Sequence, residues 1–231
     1  MGVHPRTLAR GVFVIVMAAA LSACFDLTQN LTVDRGGGGH YAMAITAQGL
    51  LGEALKDKKT SAIDLRHNKV RTRTVEEKGK VTQYATMDFK SLADLHLSDE
   101  SLSLTNHGAS WLGLGPSHVT FRRTFLVDRA KKQTTGGKDS DDERFGTELA
   151  QTMFGDHTYV FSVTVPGSVD RAGALHVGRT TIKPQIANHG LDSTVTWRMP
   201  LYTMLQAKML SFEVDFSAYG RFPDAQSVPT G

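Results

Sequence analysis

The residues of this chain with the chemical means to act as acid, base or metal ligand, 23 Asp or Glu and 9 His among them, mostly stand apart. Nine histidines could ligate a metal, yet no two fall at the His-x-His or His-x-x-x-His spacing that puts two imidazoles on one face. They are read as surface or hydrogen-bonded residues. Gly108-Ala109-Ser110-Trp111-Leu112 begins as a nucleophile elbow does, but Leu112 stands where the sharp turn needs its second glycine, so Ser110 is read as a loop residue. Asp139, Asp141, Asp142 and Glu143 offer oxygen ligands for calcium. The turn glycine of such a loop would fall at Arg144, however, and its bidentate acid at Ala150. Gly113 and Gly115 open a dinucleotide fingerprint that His118 fails to close. The glycines from Gly36 to Gly39 lack the Lys-Ser/Thr pair of a phosphate loop. No catalytic or metal constellation survives these tests, so the chain is read as non-enzymatic and without a cofactor.

One thiol remains. Cys24 is the only cysteine and ends Leu21-Ser22-Ala23-Cys24, behind Arg6, Arg10 and an apolar run, Gly11 to Ala20, too short to span a bilayer. That order resembles a bacterial lipoprotein signal peptide, with an ordinary secretory signal or a short anchor as the alternatives. The resemblance implies that the Cys24 thiol receives a diacylglyceryl group, that residues 1–23 are removed, and that the new amine is acylated. What is left, residues 24–231, is long enough for one domain with its own core. Loss of Arg6 and Arg10 leaves 24 basic against 23 acidic residues, a net charge of +1, so charge argues for no particular partner. A lipidated Cys24 also leaves no thiol for a disulfide, a zinc site or a nucleophile. Two or three acyl chains, at about 0.8 kcal/mol per buried methylene, hold a protein to a membrane stably. The expected location is the exported face of a membrane in the bacterial cell envelope. In a Gram-negative host the outer membrane is preferred, because Phe25 rather than Asp follows the cysteine.

The elements that position these residues are mostly strands. Leu27, Gln29, Leu31 and Val33, then Tyr41, Met43 and Ile45, alternate on either side of a glycine turn and predict a β-hairpin with a loose tip. Alternation recurs from Val81 to Phe89, from Val119 to Val127, from Tyr159 to Val165, from Val195 to Met199 and from Leu210 to Ala218. Leu50, Leu51, Ala54 and Leu55 have helical spacing, as do Phe145, Leu149 and Met153, and Ser91 caps a short helix. The polar stretch 128–142 reads as a mobile loop. These elements predict an α+β fold: a mostly antiparallel sheet with two or three short helices packed on one side.

From Lys56 to Lys80 nine Lys or Arg stand against four acids. Lys56, Lys58, Lys59, Arg66, Lys69, Arg71 and Arg73 read either as a solvated strand edge or as a contact for anionic lipid headgroups. Aromatic residues are sparse among them, which argues against nucleic acid.

The segment Tyr159-Val160-Phe161-Ser162-Val163-Thr164-Val165-Pro166-Gly167, the later Val195-Thr196-Trp197, the lipobox and the early hairpin together resemble the LppM-like family of bacterial envelope lipoproteins. The resemblance implies a compact α+β domain associated with envelope lipids or glycolipids. This chain lacks the C-terminal transmembrane helix of some relatives. The expected function is therefore a membrane-anchored, non-enzymatic lipoprotein presenting an apolar groove to a lipid or glycolipid, with Met43, Met87, Met153, Met199, Met204 and Met209 as candidate lining. The alternative is a scaffold that binds another envelope protein through a sheet edge or apolar patch.

Overall fold

The computed structural model describes residues 25–56, 70–95, 100–109, 115–127, 154–220, 222–223 and 225–228. The first hairpin forms where alternation places it: β1 (Phe25–Val33) pairs with β2 (Gly39–Gln48), with Phe25 opposite Ala47 and Val33 opposite Gly39. Its tip is stapled rather than loose. The Asp34 carboxylate accepts the N–H groups of Gly36 and Gly38 at 2.9 and 3.0 Å, and the Asp34 N–H reaches the Gly38 carbonyl at 2.9 Å. Gly39 cannot be replaced cheaply, because at its φ of +156° a Cβ would lie 1.8 Å from the Thr32 carbonyl oxygen.

The remaining strands are β3 (Arg71–Glu77), β4 (Lys80–Phe89), β5 (Glu100–Ala109), β6 (Ser117–Leu126), β7 (Thr158–Pro166), β8 (Ser168–Ala172), β9 (Leu175–Val177), β10 (Thr180–Ile182), β11 (Gln185–His189), β12 (Asp192–Pro200), β13 (Met209–Ala218) and β14 (Ala225–Val228). One sheet has the order β11-β12-β7-β1-β2-β4-β3, antiparallel except where β1 and β7 run parallel. A second has the order β14-β5-β6-β13-β8, and β9 pairs with β10 as a small hairpin. Registers put inward residues into rows across the large sheet: Ile45, Leu27, Tyr159 and Met199 form one, and Met43, Gln29, Phe161 and Trp197 the next. Leu102, Leu104, Val119, Phe121, Phe212, Val214 and Phe216 of the second sheet are buried with them in one core.

The expected α+β arrangement is thus overturned: the protein is mostly β, with a large mixed sheet and two helices among the described residues. Helices α1 (Gly49–Lys56) and α2 (Leu201–Gln206) and a single 3₁₀ turn (Leu92–Asp94), closed by a Ser91/Asp94 capping box, are too short to cover a ten-residue strand. Two alternating surfaces instead cover one another. Helix α1 covers only a corner, where Leu55 packs with Ile45, Ala47, Val81 and Ala85. The candidate loop 128–142 and the helix at Phe145, Leu149 and Met153 lie outside the described residues.

Trp197 sits at the centre. It is fully buried, stacks on Phe161 with ring centroids 5.9 Å apart, meets Phe212 edge-on at 5.2 Å, and donates its indole N–H to the Gly173 carbonyl at 2.8 Å. Truncating it leaves a cavity and an unpaired carbonyl. Trp197→Ala is expected to cost about 3–5 kcal/mol, read as a lower denaturant midpoint at unchanged m-value. A variant that unfolds like the parent would place this side chain outside the core.

Candidate functional site

The long polar side chains at inward strand positions among the described residues are Gln29 on β1, Gln83 on β4, Glu100 on β5 and Arg123 on β6. Three of them meet. Arg123, 1 % exposed, donates Nε–H to Glu100 Oε2 at 2.8 Å and Nη2–H to Glu100 Oε1 at 2.7 Å, a two-pronged pair. Nη2 also donates to Gln29 Oε1 at 2.6 Å, and that oxygen accepts the Tyr159 hydroxyl at 2.8 Å. The guanidinium carbon lies 4.3 Å from the centre of the Phe161 ring, whose face gives the charge a further partner. Gln29 and Tyr159 belong to the large sheet and Arg123 and Glu100 to the small one, so the network joins the two layers through the core.

Burial alone would loosen the hold of Arg123 on its proton. The Glu100 carboxylate and the two nearby phenol oxygens reverse that and hold it firmly charged. Burial pushes the Tyr159 hydroxyl up to about 12, partly offset by the Arg123 charge, and raises the Tyr41 hydroxyl by the same mechanism. Both phenols therefore stay neutral throughout the physiological range.

Beside the network runs a half-buried apolar strip, Phe25, Leu27, Met43 and Val70, packed against both the main core and the α1 cluster. The Gln29 amide reaches the Met43 sulfur at 3.4 Å and so joins strip to network. Of the six methionines named as lining, only Met43 belongs to this strip. Met87, Met199 and Met204 are core, Met209 is exposed, and Met153 lies outside the described residues.

The cations of the basic stretch are not gathered into one patch among the described residues. Lys56 pairs with Glu53 at 2.8 Å and Glu76 at 2.9 Å, Arg71 pairs with Asp88 at 2.7 Å, and Arg73 is exposed between them on the edge strand β3. Cys24, Lys58, Lys59, Arg66 and Lys69 lie outside the described residues.

Elsewhere, Ser217, His118 and Asp170 come together on the outer face of the small sheet. Ser217 donates to Asp170 at 2.5 Å and lies 2.9 Å from His118 Nδ1. A serine nucleophile needs the imidazole between hydroxyl and carboxylate. Here the hydroxyl stands in the middle with its proton on the acid, so the trio fixes strands rather than activating oxygen. Among the described residues no three His, Cys, Asp or Glu side chains could hold a metal ion. No helix there is long and apolar enough to cross a membrane.

Sequence reasoning missed the network, although its signal was present: Arg123 shares parity with Val119 and Phe121, and Gln29 with Leu27 and Leu31. A charge in such a position has to be buried with a partner. The acid that pairs with Arg123, Glu100, shares parity with Leu102 and Leu104 in the same way.

No protein-family model and no curated protein matches the sequence. Among solved structures, the chain is similar to the folded domain of Mycobacterium tuberculosis LppM at 12% identity and a TM-score of 0.42, covering 84% of this chain and 90% of that one. A candidate protease from Parabacteroides distasonis matches at 9% identity with a TM-score of 0.35, and an M1 zinc metallopeptidase from Deinococcus radiodurans at 14% and 0.28. This chain spans 41% and 42% of those two. The peptidase likenesses establish no enzymatic activity, and the LppM likeness, distant as it is, concerns overall structure and does not show family membership.

Two outcomes follow from the network. Glu100→Gln strands a buried guanidinium and is expected to cost about 3–5 kcal/mol, whereas Arg123→Met combined with Glu100→Leu should recover most of that loss. Equal losses in the single and double variants, measured by denaturant titration, would contradict the pairing. Tyr159 binds its proton more tightly when folded than the ordinary phenol value of 10. Its contribution is therefore complete below about pH 10 and is lost as pH rises through about 12, roughly 2–3 kcal/mol over that window. Tyr159→Phe should flatten the alkaline slope of stability, and an unchanged slope would place the titration elsewhere.

Proposed function

We propose that this protein is a non-enzymatic lipoprotein of the bacterial envelope, anchored through Cys24, whose β-sandwich binds a lipid or glycolipid along the Phe25-Leu27-Met43-Val70 strip. The observation that carries the anchor is the join between signal and fold. Strand β1 begins at Phe25, the residue bonded to Cys24, and its first groups are already engaged: the Phe25 N–H donates to His157 Nδ1 at 3.0 Å and the Asp26 carboxylate accepts the Thr158 N–H at 2.9 Å. Cleavage before Cys24 would remove none of these contacts.

The strip supports the ligand. An acyl chain needs a continuous apolar surface, and a headgroup or ester needs a few fixed polar groups at its end. Half-burial of four apolar side chains supports the acyl-chain part of this reading. The polar trio on the outer face offers no competing chemistry. A scaffolding role finds its support in β11, an edge strand exposed along its whole length that presents Ile186, the geometry through which a partner strand could add.

Cys24→Ser is expected to leave full-length precursor that partitions into the aqueous phase of a detergent separation, while the parent partitions with detergent. Normal processing of the variant would refute the lipid anchor. Native mass spectrometry of gently extracted parent should show a non-covalent lipid adduct that Leu27→Asp abolishes. An adduct that survives Leu27→Asp would remove the strip from the reading, and capture of a protein without lipid would favour the scaffold.

A further inference from the structure

Resting on the Cys24 anchor, we infer that one particular end of the sandwich lies directly on the phospholipid headgroups, held there by the shortness of the tether. Consecutive Cα atoms are about 3.8 Å apart, and Phe25 is fixed by His157 and its own sheet neighbours, so the lipidated residue cannot leave this end of the fold. Registers define what else lies at that level. Phe25 pairs with Ala47, and Ala47 with Val81, so Gln48 and Lys80 lie one residue further toward the end of the sheet where β1 begins. Helix α1 starts there with Leu51 42% exposed, and the β3–β4 turn at Lys78 projects beyond it. On the other flank the Leu201 N–H reaches the His157 carbonyl at 2.7 Å, which puts the start of α2 beside Phe25. In the small sheet, β13 starts at this end with Met209, 55% exposed. That strand finishes at the far end, where Gly220 lies against Arg35 of the first hairpin turn.

The far end carries exposed Leu191 and Tyr219, so apolar exposure alone would not choose between the two. The tether does. Eight residue steps along β1 separate Phe25 from Val33, about 26 Å at strand rise, well beyond a headgroup layer of roughly 5–7 Å. Charge among the described residues is not the driving force either. Lys56, Lys78 and Lys80 share the contact end with Glu53, Glu76 and Glu77, and Lys56 is already paired. The contact should therefore survive salt.

Lipidation consumes the one native thiol, so an added cysteine takes a fluorophore uniquely. Lys80→Cys and Met209→Cys mark the contact end, and Leu191→Cys and Tyr219→Cys the far end. Each lipidated protein is labelled and placed in phosphatidylcholine–phosphatidylglycerol vesicles doped with headgroup-nitroxide lipid. Several-fold quenching is expected at Lys80→Cys and Met209→Cys and essentially none at the far pair, unchanged at high salt where screening shortens to about 3 Å. Equal quenching at both ends, or stronger quenching at the far pair, in protein whose mass carries the lipid overturns this inference and leaves the anchor standing. Quenching at the contact end that vanishes in salt overturns the tether as its cause. A mass without lipid overturns both.

Discussion

Two sheets bury their apolar faces against each other here, and the only charges that enter the shared core are Arg123 and Glu100 among the described residues. Removing two ions from water costs several kcal/mol each, which a hydrophobic pair of similar volume would avoid. The cost is offset in part by the two prongs to Glu100, the bond to Gln29 and the Phe161 ring, while Arg123 Nη1 has no hydrogen-bond partner among the described residues. A one-residue slip of β1 or β6 would turn Gln29 or Arg123 outward and leave the other members unpaired. The pair therefore adds to the penalty that the buried apolar faces already set against such a slip.

Much of the secondary structure was legible because period-two alternation is a direct imprint of one buried face. The alternating positions of β1, β2, β4, β7, β12 and β13 are the inward positions of the fold. The Leu50–Leu55 spacing is α1, and the Ser91 cap is a 3₁₀ turn. What covers those faces was not legible. Periodicity says that Phe212 and Phe216 are buried but not against what, and short helical patterns were given a covering role that a second sheet performs. The parallel pairing of β1 with β7 joins residues some 130 positions apart, as in the Tyr159–Gln29 bond, and no local pattern encodes it. Arg123 escaped because two phenylalanines of like parity, Phe121 and Phe125, mask one charge in a strand that otherwise reads as ordinary.

The site divides along the same line. The proposed anchor at Cys24 rests on sequence alone, because an export signal would be a linear code. The half-buried strip is not, since Phe25, Leu27, Met43 and Val70 come from three separate segments and become neighbours only in the sheet. The basic stretch shows the opposite error: a cluster in sequence that the edge strand spreads along its length and that acids on β4 and α1 partly neutralise. Anchor, strip and ion pair then form one sequence of supports. The proposed anchor would tie down the start of β1, the strip begins at Phe25, and the network holds the middle of the strand.

The intact mass of the protein extracted from its native membrane tests this arrangement most directly. The lipid-anchor reading predicts a chain beginning at Cys24, shorter by residues 1–23 and heavier by a diacylglyceryl group and an acyl chain. A full-length unmodified chain, or one cleaved elsewhere with a free Cys24 thiol, would contradict it.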